Sequence, residues 1–159
     1  MEIHLGNRKI TKLVSFSDFA NMEILWINKN SLTSLEGLER NFRVKHIFAQ
    51  ENKISTLDRI FIKLKHIETL VLYDNELRDL DKLIKNLKDL KSLKHLDLFG
   101  NPAAHEPNYK FRIIAALTSL EVFDRHKITL QERMEAETFM SSGGKNKKIK
   151  FHVPCVKGG

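Results

Sequence analysis

The chain has 159 residues, 42% hydrophobic and 30% charged, which suits one globular domain and a tail. No apolar run nears the roughly 18–20 residues that cross a bilayer, the opening MEIHLGNRKI lacks a signal-peptide core, and a lone cysteine, Cys155, excludes an internal disulfide framework and fits a reducing compartment. The net charge is +7, but Lys145, Lys147, Lys148, Lys150 and Lys157 stand without an acid after residue 138 and leave only +2 for the rest, which argues against a nucleic-acid surface on the folded part.

Taken in chain order, one pattern returns. Leu25, Ile27, Asn30 and Leu32 recur as Ile47, Ala49, Asn52 and Ile54, as Leu70, Leu72, Asn75 and Leu77, and as Leu96, Leu98 and Asn101. The asparagines are 22, 23 and 26 residues apart. A partial copy, Ile3, Leu5, Arg8 and Ile10, precedes them, and another, Leu120 and Val122, follows. The alternating pair in each copy predicts a short strand with one buried face. The asparagine marks the turn after it, because an amide both donates and accepts and so satisfies backbone groups buried there. The links SLTSLEGLERNF and KISTLDRIFIKL are short enough for 3₁₀ or single helical turns. The longer ELRDLDKLIKNLKDLKSL predicts a true helix and accounts for the 26-residue step.

A period in the twenties with this lettering is the leucine-rich-repeat signature. The expected architecture is an α/β solenoid: a concave parallel sheet, a short 3₁₀ or helical outer face, and a C-terminal cap helix. Residues 1–138 form the repeat domain, with its cap over about 102–138, and residues 139–159 form a basic tail. The cap carries a further likeness. Asn101-Pro102, Asn108-Tyr109-Lys110, Leu117-Thr118-Ser119-Leu120 and Phe123-Asp124 resemble the cap of the short-repeat family typified by the regulatory subunit of protein phosphatase 1. Lys110, Thr118 and Phe123 depart from that cap conservatively. Thr129 and Glu132 have the spacing of a capping box for a terminal helix. From Tyr73 to Arg133 the chain is similar to ciliary members of the family, leucine-rich-repeat-containing protein 72 among them. That resemblance implies a non-enzymatic adaptor in the cytoplasm, within a cilium or flagellum axoneme. Two alternatives remain: a phosphatase regulator, and a spliceosomal subunit binding an RNA-binding protein. The family's acidic nuclear branch ends in an acidic tail, whereas this chain ends in a basic one.

The residues between the buried strand positions point to the concave face. One column reads His4, Trp26, Phe48, Val71, Asp97 and Glu121, and the next reads Gly6, Asn28, Gln50, Tyr73, Phe99 and Phe123. Trp26, Phe48, Val71, Tyr73, Phe99 and Phe123 therefore predict an exposed apolar diagonal for a protein partner, with Lys29, Glu51 and Asp74 as part of its charged rim. A catalytic constellation is not found, and neither cofactor nor metal is expected. His46 and His95 share a column, but Thr69 sets them roughly 10 Å apart. Gly143-Gly144-Lys145 lacks the strand and first glycine of a phosphate loop. In the tail, Lys148, Ile149 and Phe151 resemble the motif that docks regulators on the phosphatase catalytic subunit, where alternate side chains of an extended segment fill pockets. The tail's charge also suits an acidic surface such as tubulin. At the other end, Ile3, Leu5 and Ile10 belong to an outermost strand with an unpaired edge, which predicts a second chain over it.

Overall fold

A computed structural model describes residues 1–144 except Ser15 and Asp58. The Lys148, Ile149 and Phe151 motif and the rest of residues 145–159 lie outside the described residues. The copies found in the sequence are strands β1 (Glu2–His4), β2 (Ile24–Trp26), β3 (His46–Phe48), β4 (Thr69–Val71) and β5 (His95–Asp97). They lie side by side in sequence order and pair in parallel, so Ile3, Leu25, Ile47, Leu70 and Leu96 form one column. From Leu25 onward that column is buried, and with Ile27, Ala49, Leu72 and Leu98 it roofs a continuous apolar core. Each repeat buries its apolar face only against its neighbours.

The asparagines build the second element of the stack. Asn52 donates from Nδ2 to the carbonyls of Ala49 and, one repeat back, Ile27, both at 3.0 Å, and its Oδ1 accepts the Leu32 N–H. Asn75 and Asn101 repeat this on Leu72 with Ala49 and on Leu98 with Leu72. The carbonyls of Ile27, Ala49 and Leu72 thus each receive two amides, one from their own repeat and one from the next. Just before each asparagine the backbone is left-handed: φ is 54° at Lys29, 57° at Glu51, 53° at Asp74 and 73° at Gly100. This is the sharp turn that frees the chain from the sheet. Only at Gly100 is the residue glycine, and a Cβ there would lie 2.0 Å from Asp74 Oδ1.

The links follow their lengths. Between β3 and β4 there is a single turn, α1 (Ile60–Lys63). The longer link holds α2 (Leu80–Leu87), capped by Asp79 on the Lys82 N–H, and it buries Leu80, Leu83 and Leu87. Asn41 lies where the later links have a buried leucine. It is fully buried and donates to the carbonyls of Phe16 and Phe19 in the preceding link.

The cap comprises a 3₁₀ turn (Pro102–His105), α3 (Tyr109–Ala116), a hairpin of β6 (Val122–Phe123) and β7 (His126–Lys127), and α4 (Leu130–Ser141). The capping box is present, Thr129 accepting from the Glu132 N–H and Glu132 from the Thr129 N–H. Helix α4 runs past the expected end at 138, because Phe139 is buried against Phe111. One register expectation fails. Strand β6 pairs Val122 with His95 and Phe123 with Leu96, where the repeat's phase would have set Phe123 beside Phe99, a slip of three residues. Because side chains alternate with period 2, an odd slip exchanges faces, so Phe123 leaves the exposed diagonal and enters the core, only 3% exposed, beside the Tyr109 ring. Glu121, in turn, precedes the strand and is not part of the open-face column. No helix among the described residues is long and apolar enough to cross a membrane.

Candidate protein-binding face

The open face of the sheet divides into two parts. On the first strands, register places His4, Trp26 and Phe48 side by side. Adjacent strands about 4.8 Å apart favour ring stacking along such a column. His4 and Trp26 stack at 5.7 Å between centroids, and Trp26 and Phe48 at 3.8 Å, with planes within 9°. The carboxylate of Glu2 fixes the end of the stack, Oε1 accepting the indole N–H at 2.7 Å and lying 3.0 Å from His4 Nε2. Trp26 and Phe48 are half-buried, so these rings shield the sheet backbone yet still face outward.

On the later strands Val71 and Tyr73 are half-buried, and Phe99 is 57% exposed. Arg125, from the turn between β6 and β7, lies over them, its guanidinium carbon 4.6 Å from the Tyr73 ring centroid and 5.4 Å from that of Phe99. Its Nε donates to Asp97 Oδ2 at 2.9 Å. Asp97 is itself buried, and its Oδ1 accepts the Phe99 N–H. The bond to the Asp97 carboxylate raises the pKa of Arg125 further above its ordinary value. Behind this pair, Asp124 accepts from the Tyr109 hydroxyl at 2.9 Å and from the Leu98 N–H at 2.8 Å. Burial pushes the Asp124 pKa up, while those two hydrogen bonds pull it back. Burial and then the charge of Asp124 push the Tyr109 hydroxyl far up, so it remains a donor.

Of the six residues predicted to line this face, the structure brings Trp26, Phe48, Val71, Tyr73 and Phe99 to it and removes Phe123. Lys29, Glu51 and Asp74 are exposed at the strand ends, as a rim requires. His46 is half-buried, its Nδ1 2.9 Å from Thr69 Oγ1, while His95 is exposed. Among the described residues no group of three histidines, cysteines or carboxylates stands where it could hold a metal ion. The sequence reading missed Arg125 and the bonding of Asp97. The signal was Asp124-Arg125 between two short strands, a tight turn hidden by the assumption that the repeat's phase continued through Phe123.

A family model described as leucine-rich repeat matches residues 2–151. The chain belongs to the leucine-rich repeat family. It is 27% identical over 154 residues to a probable U2 small nuclear ribonucleoprotein A' of Caenorhabditis elegans, covering 94% of this chain and 59% of that protein. It is 32% identical over 124 residues to an acidic leucine-rich nuclear phosphoprotein 32 family member A of Drosophila melanogaster, covering 77% of this chain and 47% of that one. The chain therefore spans about half the length of the curated relatives it matches. Among solved structures, a chain of the Drosophila melanogaster SNF/U2A' complex superposes with a TM-score of 0.81 over 87% of this chain and 80% of its own, at 23% identity, a likeness of fold. The ciliary and cytoplasmic placement is overturned by these relatives, which by name are nuclear. The acidic nuclear branch, disfavoured by the basic tail, is among them.

Proposed function

We propose that the chain is a non-enzymatic, nuclear protein-binding subunit of a U2-type ribonucleoprotein, and that it holds a partner protein on the open face of its sheet. The observation that carries this reading is the run of Trp26, Phe48, Val71, Tyr73 and Phe99 across neighbouring strands, with charge around it. Aromatic anchors in a charged surround are what partner binding requires. Similarity to U2 small nuclear ribonucleoprotein A' supports the ribonucleoprotein setting, and the SNF/U2A' complex supports a partner resembling SNF. Purified chain mixed with Drosophila SNF is the test. The single tryptophan, Trp26, lies on the face in question, so its fluorescence reports occupancy directly. Co-elution with a fluorescence change is expected. If SNF neither co-elutes nor perturbs Trp26, the U2-type reading fails.

The same reading includes a second contact at β1. Its outer edge has no strand beside it among the described residues, and Ile3, Leu5 and Ile10 are only half-buried there. A partner chain over this edge would slow hydrogen exchange of the Ile3–Ile10 amides. Equally fast exchange in the free and assembled protein would remove this part of the proposal.

A further inference from the structure

Arg125 stands where glycine is the expected residue. Asp124 and Arg125 have φ of 45° and 68° and are the two central residues of the hairpin between β6 and β7, whose pairing joins Phe123 to His126. A two-residue turn with both φ values positive is the type in which the second position is dominated by glycine, since a side chain is disfavoured in the left-handed region. Here the unfavourable backbone places a guanidinium on the open face. It lies over Tyr73 and Phe99 and is held by Asp97. The orientation is fixed, yet the Arg125 side chain is 56% exposed, against 11% for Asp97. Asp97 is buried and already occupied by Arg125 and the Phe99 N–H. Of this ion pair, the cation is the member a partner meets. Beyond the Nε bond, a guanidinium retains a planar fork of donors suited to a carboxylate.

We propose that Arg125 determines partner specificity by receiving an acidic side chain from a partner helix that crosses the strands with apolar residues on Trp26, Phe48 and Val71. The proposal rests on the open-face reading above. Trp26, Phe48, Val71 and Asp97 are in register on four successive strands. Strands repeat at about 4.8 Å and a helix turns every 5.4 Å, so a crossing helix meets each strand about once per turn. Apolar residues at positions i, i+3 and i+7 then fall on Trp26, Phe48 and Val71. The residue at i+10 reaches the column of Asp97, where Arg125 stands.

The test uses alanine-based helical peptides with leucine at i, i+3 and i+7 and with Glu, Gln or Lys at i+10, titrated against Trp26 fluorescence. The Glu peptide is expected to bind about tenfold tighter than the Gln peptide, the scale of one charge-assisted hydrogen bond, and the Lys peptide more weakly than either. Arg125→Gly suits a φ of 68° but leaves the buried Asp97 carboxylate without its cation, so the melting temperature should fall somewhat while circular dichroism shows the chain still folded, and the preference for Glu should be abolished. Arg125→Lys should retain only part of it, because an ammonium lacks the planar fork. If the wild-type chain binds all three peptides equally, Arg125 does not select, and the open-face reading survives. A Glu preference that persists in Arg125→Gly would assign selection to another cation and overturn the proposal. If SNF perturbs Trp26 and no peptide does, the helical register is wrong.

Discussion

Substituting Asn52 with alanine tests the asparagine ladder where the arithmetic is cleanest. The amide Nδ2 donates to the carbonyls of Ile27, Ala49 and, at 3.3 Å, Gln50. None of these is orphaned by its loss. Ile27 O keeps the Asn30 amide, Ala49 O keeps the Asn75 amide, and Gln50 O keeps the Lys29 N–H. The Leu32 N–H differs, since Oδ1 of Asn52 is its acceptor at 3.0 Å and Leu32 is fully buried. One unpaired buried donor costs about 1–3 kcal/mol, and the lost amide contacts bring the expected total to about 2–3 kcal/mol. For a chain of this size that lowers the melting temperature by about 4–12 °C. Asn30→Ala is the internal control. Its Oδ1 accepts from the N–H groups of Arg8 and Ile10 near the surface, where water replaces it, so about 1 kcal/mol is expected. Urea and thermal unfolding followed by circular dichroism read both. An unchanged midpoint for Asn52→Ala, or equal losses at Asn30 and Asn52, would refute the assignment of the cost to the Leu32 donor.

Trp26→Ala combined with Tyr73→Ala should leave the fold intact, both rings lying outside the buried core. It should weaken partner binding at least about thirtyfold, the usual effect of a hot-spot anchor; a double variant that melts like the parent and binds SNF normally would exclude the face. Gly100→Ala should cost about 1–2 kcal/mol, because φ is 73° and the new Cβ would meet Asp74 Oδ1. Adding Asp74→Ala in urea titrations should recover the contact but not the backbone part. The raised pKa of Asp124 means that the folded state holds its proton more tightly than the unfolded chain. Stability from this group is therefore full below the ordinary aspartate pKa of about 3.9 and falls as pH rises through the raised value. Asp124→Asn should flatten that slope in urea midpoints measured across the range, and an unaltered slope would place the proton elsewhere.

The repeats were legible because their signal is redundant. Four copies give the register of β2 to β5, and the same copies give the asparagine positions. The cap was legible through Tyr109, Asp124 and the Thr129 box, residues whose partners lie at fixed spacing. What escaped was set by single events. The slip at β6 moves Phe123 inward, and it depends on Tyr109 packing against that ring, a contact between positions 14 residues apart with no periodic counterpart. Arg125 reaches across to Tyr73, a contact that no local pattern encodes. Asn41 occupies a leucine position, and its purpose is visible only once the Phe16 and Phe19 carbonyls are beside it. The short links gave few helices, as their lengths required, and the 26-residue step held the one that is capped by a side chain between strands.

The shared carbonyls of Ile27, Ala49 and Leu72 make each junction chemically the same as the next. The 22-, 23- and 26-residue steps differ only in what lies between junctions. A gene encoding such a chain can therefore gain or lose an entire unit, such as the stretch from Asn52 to Asn75, by recombination at any junction, and the joined ends will still fit. Each duplication would lengthen the open face by one strand, about 4.8 Å, without any new interface having to evolve. The spacer lengths, free of that constraint, are where lineages carrying this architecture would be expected to drift.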